Sequence, residues 1–214
     1  MSYLAISGLG GKATLSGTVP IMGAKNAALK AVASAILFRS PLTLSNVPDI
    51  EDMSRIMEII REMGGTVSIN NHNATIDASK LKTTTLTPEI SKRLRSSIVL
   101  TGPILSRYGV VRFPHPGGCV IGERPIDLFV EGYTKMGATV KKVGKFYEVK
   151  AKGGKLKGAE LFFRTQSVTG TETFMMAGVL AKGKTVIKNS AMEPEIVWLA
   201  ELLNACGAQS SGAG

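Results

Sequence analysis

One stretch of this 214-residue sequence brings together a thiol, glycines and a cation: Pro116-Gly117-Gly118-Cys119-Val120-Ile121-Gly122-Glu123-Arg124-Pro125. Glycine-rich loops of this kind run at the surface and carry function. A cysteine near cationic groups has a lowered pKa and becomes a usable acid or nucleophile. Cys119 is read on that basis as reactive, although a free thiol is more often a small buried residue. Arg124, five positions on at a helix start, is read as a partner for an anion. Cys206 goes the other way. It falls on the apolar face of a helical pattern with Ile196, Leu199, Leu202 and Leu203, and the expectation is that it lies in the core.

Three further stretches place polar groups at helix starts. In Gly23-Ala24-Lys25-Asn26-Ala27-Ala28-Leu29, Lys25 and Asn26 fall in a first turn, where free N–H groups attract phosphate and a lysine adds a full charge. The same residues would serve an ordinary solvated cap. In Ser91-Lys92-Arg93-Leu94-Arg95-Ser96-Ser97, Arg93 and Arg95 open a small-residue helix. Cations there oppose the helix dipole, a cost easier to understand with an anion between them. Ser167-Val168-Thr169-Gly170-Thr171 opens another helix, and its hydroxyls fit either phosphate binding or capping. His72 sits in the polar turn Asn70-Asn71-His72-Asn73 and is expected to be solvated, while His115 stands beside the glycine-rich loop as a structural residue. No metal-ligand spacing, P-loop or dinucleotide fingerprint is present, so neither a metal nor a cofactor is implied.

The elements that must position these residues repeat along the chain. Helical patterns end at Met63-Gly64-Gly65, Met136-Gly137-Ala138 and Cys206-Gly207-Ala208, each with glycine where a left-handed C-cap is needed. Each is preceded by a proline-led helix, at Pro48-Asp49-Ile50, Pro125-Ile126-Asp127 and Pro194-Glu195-Ile196. In the first, Ile50, Met53, Ile56, Met57, Ile60 and Met63 make one apolar stripe. Upstream of each lies a small-residue helix, near 27–38, 94–105 and 171–181, then a short β-like run near 42–45, 110–113 and 185–188. Units one and two continue into strand-turn-strand patterns over 66–76 and 139–149, and unit three stops at Gln209–Gly214 where its hairpin should begin. The reading is α/β: three βαβαββ-like units with helices inside and sheets outside. The missing hairpin predicts either a chain that continues or a degenerate last repeat.

Composition narrows the function. The net charge of +10 favours anionic partners, but the basic residues are scattered, and one Trp with four Tyr gives no base-stacking platform. Two cysteines do not make a disulfide framework, and a reduced cytosolic context is expected. The N-terminus has no basic region followed by an apolar one, and no apolar run approaches the roughly 18 residues that span a bilayer.

Taken in order, GAKNAAL, LRSSI with GP following, PGGCVIGERPIDL, SVTGTE and EPEIV resemble the UDP-N-acetylglucosamine enolpyruvyl transferases along the whole chain. The resemblance implies an inside-out α/β barrel, shared with EPSP synthase, in an enzyme of two such domains with the active site between them. Residues 1–20 would be a strand segment of the other domain, and 21–214 one domain of three units, the third truncated. The reaction implied is transfer of the enolpyruvyl group from phosphoenolpyruvate to the sugar 3-hydroxyl, in the cytoplasm, by an enzyme that is monomeric at full length. No nucleic acid or membrane partner is implied. Lys25 and Asn26 match the phosphoenolpyruvate-binding pair, and Cys119 the proton donor that also forms a pyruvate adduct and is alkylated by fosfomycin. Arg124 matches an arginine that meets both substrates. Arg95, Pro125, Ile126, Asp127 and Leu128, with Thr165, Gln166, Ser167 and Val168, match the sugar-nucleotide site. The family often has lysine where Thr165 stands and glycine where Thr169 stands. This half alone is expected to be inactive. A non-catalytic sugar-nucleotide-binding domain, the sister shikimate-pathway enzyme, which would not be expected to carry the loop cysteine, and a basic nucleic-acid module are the other readings.

Overall fold

The computed structural model describes residues 3–11, 13–114 and 126–214, without the side chains of Lys92, Arg93 and Arg95. His115, Cys119, Arg124 and Pro125 fall outside those residues.

The first unit begins where Gly23 passes so close to the Asn46 carbonyl that a Cβ there would collide with it. Helix α1 (Lys25–Ser34) follows and tightens into a 3-10 turn at Ala35–Leu37. It is buried from Leu29 onward, which its run of small residues permits. After β1 (Leu42–Leu44) comes α2 (Glu51–Glu62), with Met53, Ile56, Met57, Ile59 and Ile60 on its buried face. Glu51 and Asp52 in its first turn and Arg61 in its last suit the dipole. Strands β2 (Thr66–Asn70) and β3 (Asn73–Asp77) form a hairpin whose two turn residues, Asn71 and His72, both have positive φ, the backbone of a type I′ turn.

The second unit holds α3 (Pro88–Arg93), a 3-10 segment (Arg95–Leu100), α4 (Thr101–Tyr108), β4 (Val110–Pro114), α5 (Asp127–Lys135), β5 (Ala138–Val143) and β6 (Phe146–Ala151). The third holds β7 (Glu160–Phe162), α6 (Val168–Gly178), β8 (Val186–Lys188) and α7 (Pro194–Ala205). The sheets run β1-β3-β2, β4-β6-β5 and β7-β8; the first two are antiparallel and the third is parallel. Residues 207–214 form neither helix nor strand, and the same holds for the described part of 3–22.

Burial shows which layer is inside. Thr101–Ser106 of α4 are all buried, as are Gly170–Phe174 of α6, while β2 is exposed along most of its length. Helices apolar all round belong in a core, and sheets wet on one face belong outside. The inner helices meet closely. A Cβ on Gly102 of α4 would strike the Thr173 carbonyl of α6, and Ser106 Oγ donates to the Ala177 carbonyl at 2.9 Å. Phe174 sits at the centre, with Phe129, Tyr133 and Phe163 rings around it at centroid distances of 6.1, 5.1 and 5.9 Å. Its ring occupies the space a side chain on Gly132 would need. The Tyr133 hydroxyl, 2.6 Å from Thr101 Oγ1, is pushed well above the usual phenol range by burial.

Four expectations change. The single helix over 94–105 is a 3-10 segment followed by α4, set off from α3 because Leu94 is extended (φ −133°, ψ 103°), and Pro103 has no N–H to give a continuous ladder. Arg93 therefore ends α3, and Arg95 opens the 3-10 segment instead of an α-helix. Pro48 does not lead α2: Ile50 is extended (φ −138°, ψ 155°), and the helix starts at Glu51. Cys206 is exposed, not core. The equivalent Met63 and Met136 are buried, each in a unit whose helix is followed by a hairpin, whereas residues 207–214 supply none. The three C-cap glycines stand, with positive φ at Gly64, Gly137 and Gly207, and Pro194 opens α7 as read.

Candidate active site

Two helix starts carry the described part of the site. At α1, Ala24 is extended and no side chain caps the helix, so the N–H groups of its first turn are open to an anion. Lys25 stands there with its Nζ 3.0 Å from Asp52 Oδ2, both side chains about half exposed. Asn26 Nδ2 donates to Glu195 Oε1 at 3.0 Å, tying this turn to the start of α7. At α6, Ser167 caps the helix by accepting from the Gly170 N–H at 3.0 Å, which settles its hydroxyl as a cap in this state. Thr171 Oγ1 donates to the Ser167 carbonyl and accepts from the Ala191 N–H, fixing the following loop against the helix.

In front of α6 lies an open groove of about 850 Å³. One wall is Ile126–Glu131 at the start of α5, and the other is Phe162 with Arg164–Thr169. Seven of the sequence-predicted residues line that groove: Ile126, Asp127 and Leu128 on one wall, and Thr165, Gln166, Ser167 and Val168 on the other. Gln166 Nε2 reaches the Ser190 carbonyl at 3.2 Å. Lys25 and Asn26 line neither wall, and head a separate helix. Arg95 is located only by its backbone, at the start of the 3-10 segment. Cys119, Arg124 and Pro125 lie outside the described residues. Among the described residues, no cluster of three or more His, Cys, Asp or Glu could hold a metal.

Sequence reading passed over three charged residues that matter. Arg164 lines the groove, and its charge helps Lys135, the stronger influence, to hold Glu131 below the usual carboxylate range. It stands in a loop without pattern, and only its position between β7 and the α6 cap could have marked it. Lys30 and Glu172 form a buried ion pair between α1 and α6, Nζ to Oε2 3.2 Å, with 6% and 0% of their side chains exposed. No periodicity signals such a pair, since each looks like a helix-surface residue. Burial raises the Glu172 pKa to about 7, only partly offset by Lys30, and Glu195 and Glu193 push the same way. Because Lys30 and Glu172 lie in the second turns of their helices, the first turns of α1 and α6 are brought to one end of the molecule.

Buried inner helices, outer sheets and polar helix starts gathered at one end define an inside-out α/β domain of the enolpyruvyl-transferase type. The chain belongs to the EPSP synthase (3-phosphoshikimate 1-carboxyvinyltransferase) family, whose model matches residues 9–214. It is 44% identical over all of its length to a UDP-N-acetylglucosamine 1-carboxyvinyltransferase from a Nitratiruptor species, and spans 50% of that protein. In fold it is similar to the enolpyruvyl transferase NikO from Streptomyces tendae, with TM-score 0.78 and 22% identity over 94% of this chain and 47% of that one. It is similar also to EPSP synthase from Acinetobacter baumannii, with TM-score 0.68 and 16% identity over 92% of this chain and 45% of the other. The chain thus spans about half the length of the relatives it matches.

Proposed function

We propose that this chain forms one lobe of a UDP-N-acetylglucosamine 1-carboxyvinyltransferase, which joins the enolpyruvyl group of phosphoenolpyruvate to the 3-hydroxyl of the sugar nucleotide. The observation that carries the reading is the groove: Ile126–Leu128 and Thr165–Val168, nearly forty positions apart in sequence, make its two walls. The 44% identity to a relative of that name supports it.

The lobe contributes anion binding and a proton. Open N–H groups at α1 with Lys25 and Asn26 suit the phosphate of phosphoenolpyruvate. The groove takes the sugar nucleotide, with Arg164 beside its diphosphate. Cys119 gives its thiol proton to the methylene carbon as the sugar 3-hydroxyl bonds to the neighbouring carbon and passes its own proton to a base. Loss of phosphate and of a methyl proton then restores the enol double bond. Residues 1–20 belong with a second lobe, a reading supported by Tyr3, Leu4, Ile6, Leu15 and Val19, all large, apolar and exposed. The working enzyme is a cytoplasmic monomer. No described helix is long and apolar enough to cross a membrane.

The test is intact-mass spectrometry of the protein extended past Gly214, after incubation with fosfomycin and UDP-N-acetylglucosamine. One adduct mapped to Cys119 and lost in Cys119→Ala is the expected result. A folded, sugar-nucleotide-binding protein without an adduct would move a non-catalytic binding domain to the front.

A further inference from the structure

The Lys30–Glu172 pair is out of place in a core otherwise built from small and apolar residues. A buried ion pair seldom adds net stability, because desolvation cancels most of the attraction. Here the balance is visible in the carboxylate itself. Neither Glu172 oxygen receives a hydrogen bond of good geometry, and Lys30 meets only one of them, at 3.2 Å. The described charges acting on Glu172 are Lys30 from α1 and Glu193 and Glu195 from the start of α7. Of the charges on the other elements packed against α6, Arg107 of α4 is spent on backbone carbonyls and Glu131 of α5 pairs with Lys135, while Asp127 of α5 and Glu201 of α7 add further negative charge. The side chain of Arg95, on the 3-10 segment against α6, is not among the described ones.

What the pair does supply is a directional tie. It joins the second turn of α1 to the second turn of α6, one helical turn below Lys25 and Asn26 on one side and below the Ser167 cap on the other. Apart from the close approach of Gly23 to Asn46 and the packing of α1 on α2 and α7, the first turn of α1 is held, among the described residues, only by surface contacts. Ala24 gives no side-chain cap, Lys25 and Asn26 are held by exposed contacts to Asp52 and Glu195, and continuous burial begins only at Leu29. Exposed pairs of that kind contribute little.

We propose that Lys30 and Glu172 are a proton-sensitive clasp that fixes the first turn of α1 beside α6, and are therefore positioning residues for Lys25 and Asn26. Their importance for substrate rests on the function proposed above, but the clasp itself does not. With Glu172 ionised the tie is made. With Glu172 protonated the carboxyl is relieved of its desolvation, the tie loses its charge, and the first turn of α1 loosens although the core around it stays folded. Because the burial-raised midpoint lies near neutrality, the change falls between pH 6 and 8.

The test is amide hydrogen exchange of this 214-residue chain at pH 6 and pH 8, each corrected for intrinsic chemical exchange, read at Ala28 to Val32. In the unsubstituted chain, protection there is expected to fall at least about fivefold at pH 6, while α4 stays protected. Glu172→Gln is expected to show the low protection at both pH values. Lys30→Met with Glu172→Leu, which keeps an apolar filling if Gln fails to fold, is expected to show no pH dependence at these amides. Protection that is equal at the two pH values in the unsubstituted chain, or a pH dependence that survives in either variant, overturns the clasp. Titration with phosphoenolpyruvate in the presence of UDP-N-acetylglucosamine is run alongside. A pH-dependent clasp without phosphoenolpyruvate binding would leave the clasp standing and remove the substrate reading.

Discussion

The side-chain amide of Asn26 donates to Glu195 Oε1 at 3.0 Å, joining the first turn of α1 to that of α7. A helix start that is open to anions thus has a carboxylate parked on one of its two polar side chains. An incoming phosphate meets Glu195 as competitor for Asn26 and as a like charge. Glu195→Ala is expected to tighten phosphoenolpyruvate binding by roughly threefold, on the scale of an exposed charge contact. Calorimetric titration at low salt checks it, and weaker binding would mean that Glu195 orders Asn26 instead of competing for it.

Arg164 is the arginine in the described groove wall, beside Thr165. Arg164→Ala is expected to weaken UDP-N-acetylglucosamine about tenfold, with a shallower dependence on salt, as the loss of one charge-assisted contact to a diphosphate requires. Binding measured at two ionic strengths decides this. An unchanged affinity would place the diphosphate away from Arg164.

Gly102 is where α4 and α6 approach backbone to backbone, with the Thr173 carbonyl in the volume a methyl would occupy. Gly102→Ala gains helix propensity but must push two inner helices apart. The expected net loss is about 1–3 kcal/mol, the usual cost of overpacking, read as a lower urea midpoint. A neutral result would show that the inner helices can slide.

Burial of Glu172 makes a sign-specific claim about pH. Its pKa rises from 4.5 to about 7 in the folded chain, so between those values the folded state holds more protons than the unfolded state. The contribution is present in full below pH 4.5 and is lost as pH rises through 7. Melting temperature is expected to fall from pH 5 to pH 8 by several degrees more in the unsubstituted chain than in Glu172→Gln. Parallel profiles would mean that Lys30 repays the whole desolvation cost.

Much of this architecture is written locally. The C-cap glycines 64, 137 and 207, the α6 cap at Ser167 and the stripe on α2 follow from short-range rules, and each stands where those rules put it. The break at Leu94 is a single extended residue (φ −133°, ψ 103°) in a stretch whose composition suits a helix, so composition there suggested one helix. Arg107 was invisible for the same reason. It donates to the carbonyls of Ile36, Phe38, Ala78 and Ser79, groups that converge only after the first two units have packed. Cys206 was misread because an apolar face implies burial only where something covers it. Motif resemblance pointed to Ile126–Leu128 and Thr165–Val168, and the fold accounts for why such distant segments occur together.

The ring of Phe174, seated in the space a side chain at Gly132 would fill, makes those two positions a single choice. A methyl at 132 cannot be accommodated by a small adjustment, because Phe129, Tyr133 and Phe163 close the other sides. Related chains should therefore divide into two groups: glycine at 132 with a large ring at 174, or a larger residue at 132 with a smaller one at 174. Intermediates between the groups would carry either a clash or a void, so the two sites are expected to change hands together as lineages diverge.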